Sequence, residues 1–114
     1  LNEDLATMSA ERMQQLQAML AEEPGDTFLR YAIALEHKRM GQMEQAIADL
    51  QAILTDDPKH VPSYYQLASL QAELGQVANA IHTCEAGALQ CIVTNDPKAR
   101  TELLALKRAL LDEE

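Results

Sequence analysis

TFLRYAIALEHKRMGQMEQAIADLQAILTDDPKH, residues Thr27 to His60, runs without a gap into VPSYYQLASLQAELGQVANAIHTCEAGALQCIVT, residues Val61 to Thr94. Shifted by 34 positions, Ala34 falls on Ala68, Gly41 on Gly75, Gln42 on Gln76, Ala46 on Ala80 and Ile47 on Ile81. Tyr31 falls on Tyr65, Ile33 on Leu67, and Pro24 precedes Pro58 by the same 34. These positions have a common physical reading. The alanines are small where two helices cross, because a longer side chain would push the axes beyond about 8 to 10 Å. Gly41 and Gly75 follow Met40 and Leu74, where a helix ends most cheaply in a left-handed turn. Pro58, Pro62 and Pro97 begin or precede helices, with Asp57 and Asp96 placed to cap the exposed amides.

The flanks read as helix too. Residues Asp4 to Ala21 set Leu5, Met8, Met13, Leu16 and Leu20 at three-to-four spacing and stop before Pro24. After the NDP entry signal, Lys98 to Leu111 place Leu103, Leu106, Leu110 and Leu111 on one stripe, with Arg100, Glu102, Lys107 and Arg108 elsewhere on the wheel. Each flanking helix is expected to cap one edge of the repeat array.

A 34-residue unit of two helices resembles the tetratricopeptide repeat. Residues 27–94 carry the resemblance: Gly41, Ala46, Ile47 and Pro58 in the first unit, and Tyr64, Leu67, Ala68, Gly75, Ala80 and Ile81 in the second. It implies an all-α, right-handed superhelical solenoid of about six antiparallel helices. One domain over residues 1–114 is expected, with an N-terminal helix at 4–21, repeats at 27–60 and 61–94, and a capping helix at 97–112.

Bulk chemistry narrows the functional classes. Apolar residues make up 47% of the 114 and charged residues 24%, enough for a packed core. Eighteen acidic against nine basic side chains give a net charge of −9, so a nucleic-acid partner would be held against repulsion and is not expected. No run approaches the length of a membrane span, and the acidic start LNEDLATMSAERM is unlike a secretory leader. Because the chain opens on Leu1 and not on Met, residues upstream of it are allowed for. Cys84 and Cys91, seven apart on one helix, would lie roughly 10 Å apart, beyond disulfide reach, and read as small buried residues in a reducing, cytoplasmic setting.

Parts for catalysis are missing. The sequence has no glycine-rich phosphate loop, no HExxH and no CxxC, and His37, His60 and His82 are scattered, so no enzyme, cofactor or metal is expected. Gly87, inside a helix at a cost of about 1 kcal/mol relative to Ala, is expected to permit close approach of the capping helix. Arg30 and His37 occupy places where related repeats carry large apolar residues. They are expected to pair with Glu11, Glu22 or Glu23 of the N-terminal helix. Lys38 and Arg39 read as a solvated charge pair.

The resemblance implies a protein–protein interaction module or adaptor, with a peptide or helical segment of another protein in a concave groove. On the first helices of the two repeats that groove would take Phe28, Tyr31, Leu35 and Lys38, then Tyr65, Ser69 and Ala72. Exposed aromatics there give large contact area at small entropic cost. Some relatives grip a C-terminal carboxylate with Lys and Asn; the matching places here hold Tyr31, Leu35 and Gln66, so that clamp is not expected. The alternative is a homodimer or larger scaffold built on the same apolar surface, without a separate peptide.

Overall fold

The computed structural model describes residues 2–113, and the described residues form six helices with no strand: α1 (Asn2–Glu22), α2 (Thr27–Arg39), α3 (Met43–Asp56), α4 (Val61–Glu73), α5 (Val77–Val93) and α6 (Pro97–Asp112). They divide into two compact units, Leu1–Asp49 and Leu50–Glu114.

In the first unit α2 starts at Thr27 because Asp26 Oδ1 accepts a hydrogen bond from the Leu29 amide at 3.0 Å. It stops at Arg39, where Gly41 turns left-handed with φ 79° and the Gly41 and Gln42 amides return to the carbonyls of Lys38 and His37. Leu29, Ile33, Ala34 and Glu36 are its buried residues. α1 packs on α2 with Met13 buried and Ser9, Leu16 and Leu20 half-buried. The apolar stripe expected on α1 is therefore split. Met8 lies further round the wheel, and Leu5, on the same side as Leu16, lies in the first turn of α1; both face solvent.

The second unit buries Val61, Tyr64, Ala68, Ala80, Cys84, Cys91, Leu103 and Leu110 in one cluster. α4 and α5 pack together, and α6 packs on both. Ala68 and Ala80 are fully buried, and Gly75 repeats the left-handed turn at φ 78°. Asp96 caps α6 as expected, accepting from the Ala99 amide at 3.2 Å. Asp57 does not cap α4: that helix begins after His60, with Pro62 in its first turn where no amide hydrogen is needed, and no side chain caps it. Pro58 serves differently as well, its carbonyl accepting the Tyr64 hydroxyl at 2.6 Å.

Among the glycines, Gly87 is the one crowded by its neighbours. A Cβ there would stand 2.6 Å from Tyr64 Cβ and 2.9 Å from Leu103 Cδ1, so α4 as well as the capping helix α6 closes on α5 at this residue. Cys84 and Cys91 are buried free thiols, and burial pushes the Cys84 thiol up to about 11 despite Lys107 nearby. Both are packing residues without the exposure that a reactive thiol needs.

Gly87→Ala is expected to destabilise the protein by about 1–2 kcal/mol, because overpacking against a backbone-proximal atom outweighs the gain in helix propensity. Gly25→Ala, with nothing within 4 Å of the added atom, is expected within about 0.5 kcal/mol of the parent. Urea unfolding of the two variants checks this; equal stabilities would mean that α4 and α6 yield freely at Gly87.

Candidate binding surface

On α2 the expected contact residues run Phe28, Tyr31, Leu35, Lys38, on the side of the helix away from buried Leu29, Ile33 and Glu36. Phe28 is 75% exposed, and Tyr31, Leu35 and Lys38 are half-buried. On α4 Tyr65 is 41% exposed and Ser69 and Ala72 are half-buried, while Tyr64, Leu67 and Ala68 turn into the core. Tyr31, Leu35 and Lys38 stand 34 residues before Tyr65, Ser69 and Ala72, so each strip occupies the same place on the first helix of its repeat.

A second set of polar groups sits at matched places. His37 Nδ1 on α2 lies 2.5 Å from Asp49 Oδ2 on α3, and Gln45 Nε2 donates to the other carboxylate oxygen at 2.9 Å. Thirty-four residues on, the Thr83 hydroxyl of α5 donates to Gln71 Oε1 of α4 at 2.7 Å. Both repeats thus join their two helices by one side-chain hydrogen bond at equivalent positions. This corrects the reading of His37, whose acid is Asp49 on its repeat's second helix and not a glutamate of α1. The 34-residue register held the signal, since residues 37 and 71, and residues 49 and 83, are polar together.

An ion pair that reaches α1 belongs to Glu36, which sequence reasoning missed. Its carboxylate is fully buried and accepts from Arg12 Nη1 at 2.9 Å, the Ser9 hydroxyl at 3.1 Å and Arg39 Nη1 at 3.2 Å. Burial by itself would raise this carboxyl; the hydrogen bonds from Arg12 and Ser9 and the charges of Arg12 and Arg39 outweigh burial and hold it below the usual value. Arg39, read from the sequence as solvated, is one of its partners. Glu36 continues the Leu29 and Ile33 stripe at helical spacing, which was the available sign that it turns inward.

Around this cluster α1 and the end of α2 enclose a cleft of about 490 Å³ lined by Leu5, Ala6, Met8, Ser9, Arg12, Arg39 and Met40. A shallower cleft at the other end of α1, about 420 Å³, is lined by Ala18, Met19, Glu22, Glu23 and Leu29. Neither was expected from the sequence, because each depends on which α1 residues remain uncovered. Among the described residues no group of three or more His, Cys, Asp or Glu is placed to hold a metal ion, and no helix is long and apolar enough to cross a membrane.

The model of the tetratricopeptide repeat matches residues 37–90. A tetratricopeptide repeat domain protein from Salinibacter ruber is 31% identical, covering 80% of this chain and 92% of its own length, with a TM-score of 0.77. The chain belongs to the tetratricopeptide repeat family. The fold is shared with the TPR2B domain of yeast Sti1 in its complex with pHsp70, at TM-score 0.84 and 19% identity over 95% of this chain and 86% of that one. It is shared too with PcrH in complex with the chaperone-binding region of PopD, at TM-score 0.83 and 14% identity over 98% and 85%. No curated protein matches the sequence.

In this tetratricopeptide protein Glu36 ties α1 to the first repeat, and its charge sets a pH signature. A carboxyl held below its ordinary value contributes stability above roughly pH 4.5 that fades as pH falls through the folded-state value. Arg12→Met is expected to cost about 2 kcal/mol at pH 7, the worth of a charge-assisted hydrogen bond to a buried carboxylate. The deficit should shrink at pH 4, where protonation relieves the underpaired charge. Urea unfolding at the two pH values measures it; an equal deficit at both would show that Arg12 does not act through the Glu36 charge.

Proposed function

We propose that this chain is a non-catalytic protein-interaction module that binds a peptide or helical segment of another protein through the first helices of its repeats. The contact residues are Phe28, Tyr31, Leu35 and Lys38 on α2, and Tyr65, Ser69 and Ala72 on α4. The observation that carries the reading is the accessible strip at the same place on both first helices, with an aromatic ring exposed on each. Rings of this kind supply contact area with few rotamers to freeze.

Membership of the tetratricopeptide repeat family supports the general mode, and two proteins of the same fold were solved as complexes, Sti1 TPR2B with pHsp70 and PcrH with the chaperone-binding region of PopD. Those likenesses extend to the fold. The places of the carboxylate clamp hold Tyr31, Leu35 and Gln66 here, so the proposed ligand is recognised by apolar and aromatic contact more than by a terminal carboxylate. The module is proposed to act as one unit over residues 1–114 in the cytoplasm, without cofactor, metal or nucleic acid.

A panel of apolar and amphipathic peptides screened by fluorescence anisotropy is expected to yield binders weakened at least tenfold by Phe28→Ala and by Tyr65→Ala. Both side chains are exposed, so thermal midpoints should hold within a few degrees. Binders indifferent to both substitutions would place the ligand elsewhere and sink the reading.

A further inference from the structure

The outer sides of α5 and α6 carry two stripes at the spacing of a helix–helix seam. On α5, Ala78, His82, Glu85, Leu89 and Ile92 recur at alternating intervals of four and three, and on α6, Arg100, Leu104, Lys107 and Leu111 do the same. The stripes flank one groove, because Lys107 Nζ reaches across to Glu85 Oε2 at 3.0 Å. Their apolar members stand open: Leu89 is 64% exposed, Ile92 61%, Leu111 47% and Leu104 36%, while Cys84, Cys91, Leu103 and Leu110 of the same helices are buried. From Arg100 to Leu111 the groove runs about 17 Å.

Spacing selects a helix as the occupant. Stripes that repeat about every 3.5 residues on two neighbouring helices leave a trough into which the side chains of a third helix interlock. An extended segment would find no backbone partner there, since the amides and carbonyls within both helices are spent on their own turns. Charge selects the chemistry of that helix. Glu85 already holds Lys107, but Arg100 in the stripe has no ion-pair partner among the described residues. Neither has Arg108, about 40° round the helix from Leu104 on the side away from Lys107. The acids of α6 turn elsewhere: Glu102 stands about 160° from Leu104, and Asp112 and Glu113 stand about 100° and 160° from Leu111. Asp96, at the start of α6, is half-buried and caps that helix. In a chain of net charge −9, the unmatched charges along this groove are thus cationic.

We propose that the groove between α5 and α6 is a docking surface for an amphipathic helix of another protein, one with large apolar side chains at three-to-four spacing and acidic residues along its flanks. The apolar side of that helix packs on Leu89, Ile92, Leu104 and Leu111, and its acids meet Arg100 and Arg108 in charge-assisted hydrogen bonds. A helix with basic flanks would set like charges together and is refused. The groove shares no residue with the strip of Phe28, Tyr31 and Tyr65. A chain that used both surfaces would join two partners, and neither reading needs the other.

Two helix-stabilised probe peptides of about 15 residues, long enough to span the groove, test this. Both carry leucines at three-to-four spacing, one with glutamate flanks and the other with lysine flanks. By fluorescence anisotropy the glutamate probe is expected to bind at least tenfold more tightly than the lysine probe, and to weaken as salt is raised. Leu89→Gln, at an exposed position, is expected to weaken the glutamate probe at least tenfold. Arg100→Glu combined with Arg108→Glu is expected to reverse the preference in favour of the lysine probe, a gain of binding that a misfolded chain could not give. Phe28→Ala and Tyr65→Ala should leave both probes unchanged, whereas a ligand of the strip responds to those two and not to Leu89→Gln, so each reading can fail alone. Equal affinity for the two probes overturns the proposal, as does binding indifferent to Leu89→Gln or a double charge reversal without a reversed preference. Self-association of the parent that Leu89→Gln abolishes overturns it too, because a second copy would then fill the groove.

Discussion

At Gly87 the packing of the second unit hangs on an atom that is absent. With a Cβ there 2.6 Å from Tyr64 and 2.9 Å from Leu103, neither α4 nor α6 could lie where it does on α5. Ala68 and Ala80 act in the same sense, with no accessible surface left on either. Interiors are close-packed, so axes this near together require side chains this small. Once α5 is clasped from both sides, Cys84 and Cys91 have no route to solvent, and Tyr64 is directed to the Pro58 carbonyl. Tyr65, its neighbour, is consequently turned outward to the strip proposed for binding.

The first unit is held by a different kind of constraint. α1 contributes one buried apolar residue, Met13, and half-buried Leu16 and Leu20, a thin apolar contact for a helix of 21 residues. Glu36 supplements it from the α2 side. A buried carboxylate is costly unless its lone pairs are filled, and Ser9, Arg12 and Arg39 fill them. The arrangement fixes the register of α1 on α2 more sharply than a smooth apolar face would. It also brings the Arg12 and Arg39 guanidinium groups together beside the middle of α1.

Within each repeat the two helices share another device, the hydrogen bond from His37 to Asp49 and from Thr83 to Gln71. The groups differ while the positions are equal. What the repeat preserves at these places is a polar bridge between paired helices, whatever residues build it.

The 34-residue register, the small residues at 34, 46, 68 and 80, and the glycines at 41 and 75 determined by themselves that the chain is a pair of helix–turn–helix repeats with helical flanks, because turns and helix crossings each admit few residue types. Helix ends were legible wherever a local signal decides them, as at Asp96, and misread at Asp57, where proline and a tyrosine hydroxyl from the next helix take over. The contact strips come from the family resemblance and helix geometry; of their residues Phe28 and Tyr65 are exposed, and Tyr31, Leu35, Lys38, Ser69 and Ala72 are half-buried. Tertiary structure alone decided the partner of His37, the burial of Glu36 with Arg12 and Arg39, and the split of the α1 stripe into a buried and an open face. The reason is physical: spacing along a helix says which residues share a side, but only the neighbouring helix decides which side is covered and which charges meet there.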